Sequence, residues 1–197
     1  MKMKSGCQVP FPDLLEEGYI VKDNGITANV GRDHIESVMQ HFIIMHEEPL
    51  FFILELPSSM DEESETGTSI IHRMHKDIYY IDNLSQDEAL MIMLEAGDLL
   101  FDDGLSAFGY GGHKSNEEIV FGKYNELTIY AKDTTKYDSF FKAHDIKKKE
   151  KIISAWDTFN ADHPGVSNRI TVNGKNINSL LEQFKDWGIY FAERREE

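Results

Sequence analysis

Asp102 and Asp103, followed by His113, Glu117 and Glu118, form the densest cluster of titratable side chains beside glycine turns in this sequence. Paired carboxylates of this kind bind Mg²⁺, or divide acid and base roles when their surroundings separate their pKa values. Asp-Asp-Gly is also ordinary turn chemistry, and the turn reading is the stronger of the two. The second place of interest is Asp162-His163-Pro164-Gly165, which follows Trp156-Asp157-Thr158-Phe159. Pro164 pushes His163 into extended geometry, so His163 is expected to leave a helix there; a loop of this composition can form a pocket wall, but a plain helix exit with Trp156 in the core is the stronger reading. Asp102, Asp103, His113 and His163 are therefore the candidate catalytic residues.

The histidines do not read as a metal site. His72 and His75 fall in a segment with strand character, where positions three apart face opposite sides. His34 and His41 share a helix face but sit two turns apart, about 10 Å, which is too far for one zinc ion. The glycine-rich stretch Gly104–Ser115 resembles a phosphate loop only superficially, because His113 stands where a P-loop needs glycine before Lys114-Ser115. A flexible hairpin is the better reading, and neither a metal nor a cofactor is expected.

Charge is the bulk property with functional content. The 197 residues carry a formal net charge of −15, which opposes binding to nucleic acid or anionic membranes; acidity that keeps a protein soluble is the stronger reading, and attraction to a basic protein partner the other. Four acidic residues, Asp61, Glu62, Glu63 and Glu65, lie in a small-residue segment read as a mobile surface loop over about 57–68 and as the candidate binding surface. A lysine cluster, Lys142, Lys147, Lys148, Lys149 and Lys151, opposes it, although lysines are unfavourable at the positive end of the helix expected to begin there. Cys7 is the single cysteine. With no apolar run behind the N-terminal lysines and no membrane-length stretch, the chain reads as soluble and cytoplasmic.

These residues must be positioned by a mixture of hairpins and helices. Asn24-Gly25 and Asn173-Gly174 mark hairpin turns. Asp33 is placed as an N-cap before Ile35, Val38, Met39 and Phe42, and Leu50–Leu56 is a central strand followed by strand over Ser69–Ile81. Ser85-Gln86-Asp87-Glu88 has the form of a capping box, with Gly97 ending its helix and a strand meander following over Asp98–Lys132. Helices are predicted over about Thr135–His144, Lys148–Asn160 and Ile177–Trp187, with a closing strand over Ile189–Glu193. Strands adjacent in sequence imply a mainly antiparallel sheet with about five helices, an α+β fold in one domain over residues 1–197.

Two functions remain open. One is a protein-binding module, of the bacterial immunity type, that engages a basic partner by steered association. The other is a small enzyme or ligand-binding protein with a carboxylate and histidine pocket around Asp102, Asp103 and His113.

Overall fold

The computed structural model describes residues 1–22, 25–63 and 70–196, with residues 59–63 and 70–74 described by their backbone alone. The fold is α+β. Strands β1 (Cys7–Gln8), β2 (Gly18–Lys22) and β3 (Gly25–Asn29) precede helix α1 (Arg32–Met45), then β4 (Leu50–Glu63), β5 (Ile70–Leu84) and helix α2 (Gln86–Asp102). After these come β6 (Ala107–Gly112), β7 (Glu117–Phe121), β8 (Glu126–Tyr130), α3 (Tyr137–Ala143), β9 (Val166–Ser167), α4 (Leu180–Gln183) and β10 (Tyr190–Glu196). Eight strands form one antiparallel sheet in the order β10-β5-β4-β6-β7-β8-β3-β2, and β1 pairs separately with β9.

Alternation sorts the strand side chains. Phe52, Leu54, Phe108, Tyr110, Ile119, Phe121, Leu127 and Ile129 point to one face, where they join Ile35, Val38, Met39 and Phe42 of α1 and Ile92, Met93 and Leu100 of α2 in the main core. Each such side chain contributes about 1.5–3 kcal/mol on burial. The capping box at the start of α2 is present: Glu88 N donates to Ser85 Oγ at 3.2 Å, and Ser85 N donates to Glu88 Oε2 at 2.8 Å. At Asn173-Gly174 both residues have positive φ, 51° and 77°, and Val172 bridges Lys175. The strands β2 and β3 pair as expected, although the turn at Asp23-Asn24 lies outside the described residues.

Several expectations are corrected. Residues 57–63 are not a loop: β4 continues to Glu63, and Asp61, Glu62 and Glu63 pair with His72, Ile71 and Ile70. The β-prone Ile70-Ile71 run opposite them supplies a ladder that acidic composition alone does not suggest. Glu65 and the rest of 64–69 lie outside the described residues. Gly97 does not end its helix but is buried in it, where an added Cβ would meet the Phe101 ring at 2.8 Å. The meander therefore starts only at Ala107.

The N-cap of α1 is Gly31, not Asp33. The described residues hold four α-helices, not five, because Lys148–Asn160 is not helical. Residues 147–149 instead run along the edge of β2, with Tyr19 N donating to Lys147 O at 3.0 Å and Lys149 N donating to Tyr19 O at 2.9 Å. Only a 3-10 turn forms, at Trp156–Thr158. This also accounts for the lysines. Lys148 pairs with Asp138 at 3.1 Å and Lys149 with Glu16 at 2.5 Å, so they sit on a strand edge and not at a helix N-terminus.

Candidate functional site

The face of the sheet opposite α1 and α2 is hollow, and its ladder register explains why. Directly paired residues share a face. One row runs Phe51, Gly111, Glu118, Tyr130; the next runs Tyr190, Tyr80, Ile53, Gly109, Val120, Thr128. A third row holds Ile78, Glu55 and Ala107, and a fourth Arg195, Lys76 and Pro57. The three residues that β6 presents here, Ala107, Gly109 and Gly111, have little or no side chain, so a valley opens between β4 and β7. A cleft with a volume of ≈ 560 Å³ lies on this face beside Ala107 and Val120, and its lining includes Glu55, Lys76, Lys123, Glu126, Tyr130, Trp156, Arg195 and Glu196.

The cleft is lined by side chains of both charges and by aromatic rings, and Glu118 sits beside it, paired with Tyr130 across the β7–β8 ladder. Burial, and then the charge of Glu55, raise the Glu118 carboxyl above the usual carboxylate range, against an opposing effect of Arg195. Burial and Asp157 raise Glu126 in the same direction. Among the described residues no hydrogen bond or ion pair reaches either carboxylate side chain, whereas Glu55 pairs with Lys76 at 3.5 Å and Arg195 Nε donates to Glu193 at 2.8 Å. Burial and the carboxylates Glu118 and Glu55 also raise the Tyr130 hydroxyl. The aromatic rim is exposed: Tyr130 by 56% and Trp156 by 50%, so Trp156 is not the core residue that its helical spacing suggests. Tyr124, edge-on at 4.8 Å, and Phe159 at 5.6 Å hold its indole in place.

The sequence-predicted residues are not brought together. Asp102 ends α2, where burial raises its carboxyl but hydrogen bonds from Ser5 N, Arg32 and Ser5 Oγ outweigh this and hold it low. Those bonds measure 2.9 Å from Ser5 N, 2.7 Å from Arg32 Nε and 2.8 Å from Ser5 Oγ. Asp103 is fully buried and accepts backbone N–H groups from Ser106 at 2.8 Å, Leu105 at 3.1 Å and Ile170 at 3.2 Å. Both aspartates tie the chain together at one end of β6, while His113 lies past the other end.

His113 stands 3.2 Å from Asp82 and 5.0 Å, ring to ring, from Phe51. His163 lies in an exposed loop, held to Asn160 at 3.3 Å and packed near Phe11. Glu117, on the opposite face of β7 from Glu118, is buried and accepts from His46 and Tyr137. Among the described residues, no group of three or more His, Cys, Asp or Glu side chains is arranged to hold a metal ion, and no helix is long and apolar enough to cross a membrane.

Sequence reasoning missed Glu55, Asp82, Glu126 and Tyr130. The signal that was available is alternation: Glu118-Val120 and Glu126-Thr128-Tyr130 are the polar or outward members of period-2 strands. What alternation lacks is register, which alone sets Glu55 and Glu118 on one surface.

Comparison of the chain with protein-family models, curated protein sequences and solved structures yields no match, so the reading of this cleft rests on its own chemistry.

Proposed function

We propose that this protein is a binding module that engages a basic protein partner, and that a cationic segment of that partner seats in the cleft on the open sheet face. The observation that supports this reading is the pair Glu118 and Glu126. Both are partly desolvated carboxylates without an ion-pair partner among the described residues; Glu126 lines the open cleft rimmed by Tyr130 and Trp156, and Glu118 lies beside it, opposite Tyr130 in the ladder. A carboxylate held in that state gains from an arriving cation, and exposed aromatic faces attract the same charge. The chain's net charge of −15 adds a long-range field that steers a basic partner inward.

The test is fluorescence anisotropy with a labelled hexa-lysine peptide, titrated at several salt concentrations. Binding is expected to strengthen as salt falls, with Glu118→Gln and Glu126→Gln each weakening it several-fold and Trp156→Ala adding to the loss. Binding that is absent at low salt would refute the reading. So would binding that is indifferent to all three substitutions, since the cleft would then not be the place where the cation sits.

A further inference from the structure

At the upper end of the same face lies a second, smaller hollow of ≈ 330 Å³, lined by Phe51, Tyr80, Asp82, His113, Tyr190 and Ala192. Its shape depends on a glycine. A Cβ on Gly111 would lie 2.1 Å from Phe51 Cζ, so the Phe51 ring can rest on β6 only because that side chain is missing. The Tyr80 ring stands 5.9 Å from Phe51, and Tyr190 stacks 6.3 Å from Tyr80 at 29°.

Asp82 closes one side: its Oδ2 accepts from the Tyr190 hydroxyl at 2.5 Å, and its Oδ1 lies 3.2 Å from His113 Nε2. A carboxylate offers about four lone-pair sites, so both oxygens keep accepting capacity. Glu118 lies close enough to act electrostatically on the Tyr80 hydroxyl, which links this hollow to the cleft. Three aromatic rings and a carboxylate lining one hollow are the components of a cation site. A planar guanidinium suits them better than a compact ammonium. It stacks flat on a ring while its in-plane N–H groups still reach a carboxylate, and it is the more weakly hydrated of the two.

We propose that Phe51, Tyr80 and Tyr190, together with Asp82, form a subsite for the guanidinium of an arginine side chain. This inference rests on the basic-partner reading above and narrows it: the partner's segment carries an arginine at the position that meets this end of the face. Glu118 then supplies charge without selectivity, and the aromatic hollow supplies the selectivity.

The experiment compares labelled hexa-arginine and hexa-lysine peptides by anisotropy on wild type, Gly111→Ala, Phe51→Leu and Glu118→Gln, each first checked for a cooperative thermal transition. Wild type is expected to prefer the arginine peptide by about tenfold in Kd, the scale of one partly desolvated cation–ring contact. Gly111→Ala displaces the Phe51 ring without removing any aromatic group, and should abolish the preference. Phe51→Leu should do the same and serves alone if Gly111→Ala does not fold. Glu118→Gln should weaken both peptides and leave their ratio unchanged. Equal binding of the two peptides by wild type overturns the subsite while sparing the basic-partner reading. A preference that survives both Gly111→Ala and Phe51→Leu also overturns the subsite, and loss of all binding by wild type overturns both.

Discussion

Replacing Glu117 by alanine removes the acceptor on which one buried network converges. Its Oε2 accepts from His46 Nε2 at 2.9 Å, from the Tyr137 hydroxyl at 2.8 Å and from Lys136 Nζ at 2.5 Å. His46 Nδ1 is 2.7 Å from the Phe42 carbonyl, so the buried ring is held between that carbonyl and Glu117. Alanine would leave the buried His46 Nε2 without its partner, a loss of about 1–3 kcal/mol. It would also orphan the buried Tyr137 hydroxyl, at about 1–3 kcal/mol, partly the same energy because the two share one acceptor. Lys136 is 38% exposed and adds little.

The expected total for Glu117→Ala is about 2–4 kcal/mol, or a fall in Tm of about 4–16 °C for a domain of this size. The pH dependence follows from the direction of the carboxyl shift. Burial alone would raise Glu117, but the donors Lys136, His46 and Tyr137 together hold it below the usual range. Its contribution to stability is therefore complete above the unfolded value of about 4.3 and is lost as pH falls through the lower folded value. Urea unfolding at pH 7, repeated down to pH 3, measures both effects. Glu117→Gln should flatten the acid limb. If Glu117→Ala stays within about 1 kcal/mol of wild type, or Glu117→Gln leaves the acid limb unchanged, the buried network does not carry the stability assigned to it.

Gly109→Ala should destabilise far more than Gly111→Ala in thermal melts, because the new Cβ would meet the Ile119 carbonyl oxygen at 2.2 Å in one case and a movable ring at 2.1 Å in the other. Asp103→Ala should lower stability by about 2–4 kcal/mol in urea unfolding, since three backbone N–H groups lose their acceptor, yet leave peptide affinity at the cleft unchanged. Because Glu118 and Glu126 are raised in the free protein, hexa-lysine affinity should climb with pH above the ordinary carboxylate value of about 4.3, as proton release on binding ceases to oppose it. Anisotropy from pH 4 to pH 8 should show that climb in wild type and a flatter curve in the Glu118→Gln, Glu126→Gln double variant.

What could be read from the sequence was what short-range physics decides. The Ser85–Glu88 cap, the apolar stripe of α1 and the turn at Asn173-Gly174 each depend on residues within one turn of one another, and each is present. The failures have non-local causes. Ile152, Ile153, Trp156 and Phe159 keep helical spacing, but Lys147–Lys149 find strand-edge hydrogen bonds on Tyr19 more than a hundred residues earlier in the chain. Those bonds satisfy the backbone in a way that no local pattern reveals. The site failed to appear for the same reason. Asp102, Asp103 and His113 are close in sequence, yet β6 runs between them and carries them apart. Glu55 and Glu118 are distant in sequence, yet only the strand β6 separates β4 from β7.

The glycines of β6 connect these two outcomes. Read locally, Gly109 and Gly111 look like turn residues or the debris of a phosphate loop, and strand interiors usually exclude glycine because it weakens them. In the sheet they fall on the face turned away from the helices, in register with Val120 and Glu118 on one side and Ile53 and Phe51 on the other. A Val or Thr at Gly111 would drive into the Phe51 ring, and one at Gly109 into the Ile119 carbonyl, so each would fill the valley and disturb the strand beside it. The sheet accepts two weak strand formers at its centre, in the strand that joins β4 to β7, and recovers stability elsewhere, through Phe108 and Tyr110 on the core face of the same strand. A conformational cost placed there, and balanced on the opposite face, is what the proposed ligand surface requires, with Glu118 and Glu126, unpaired among the described residues, as its carboxylates.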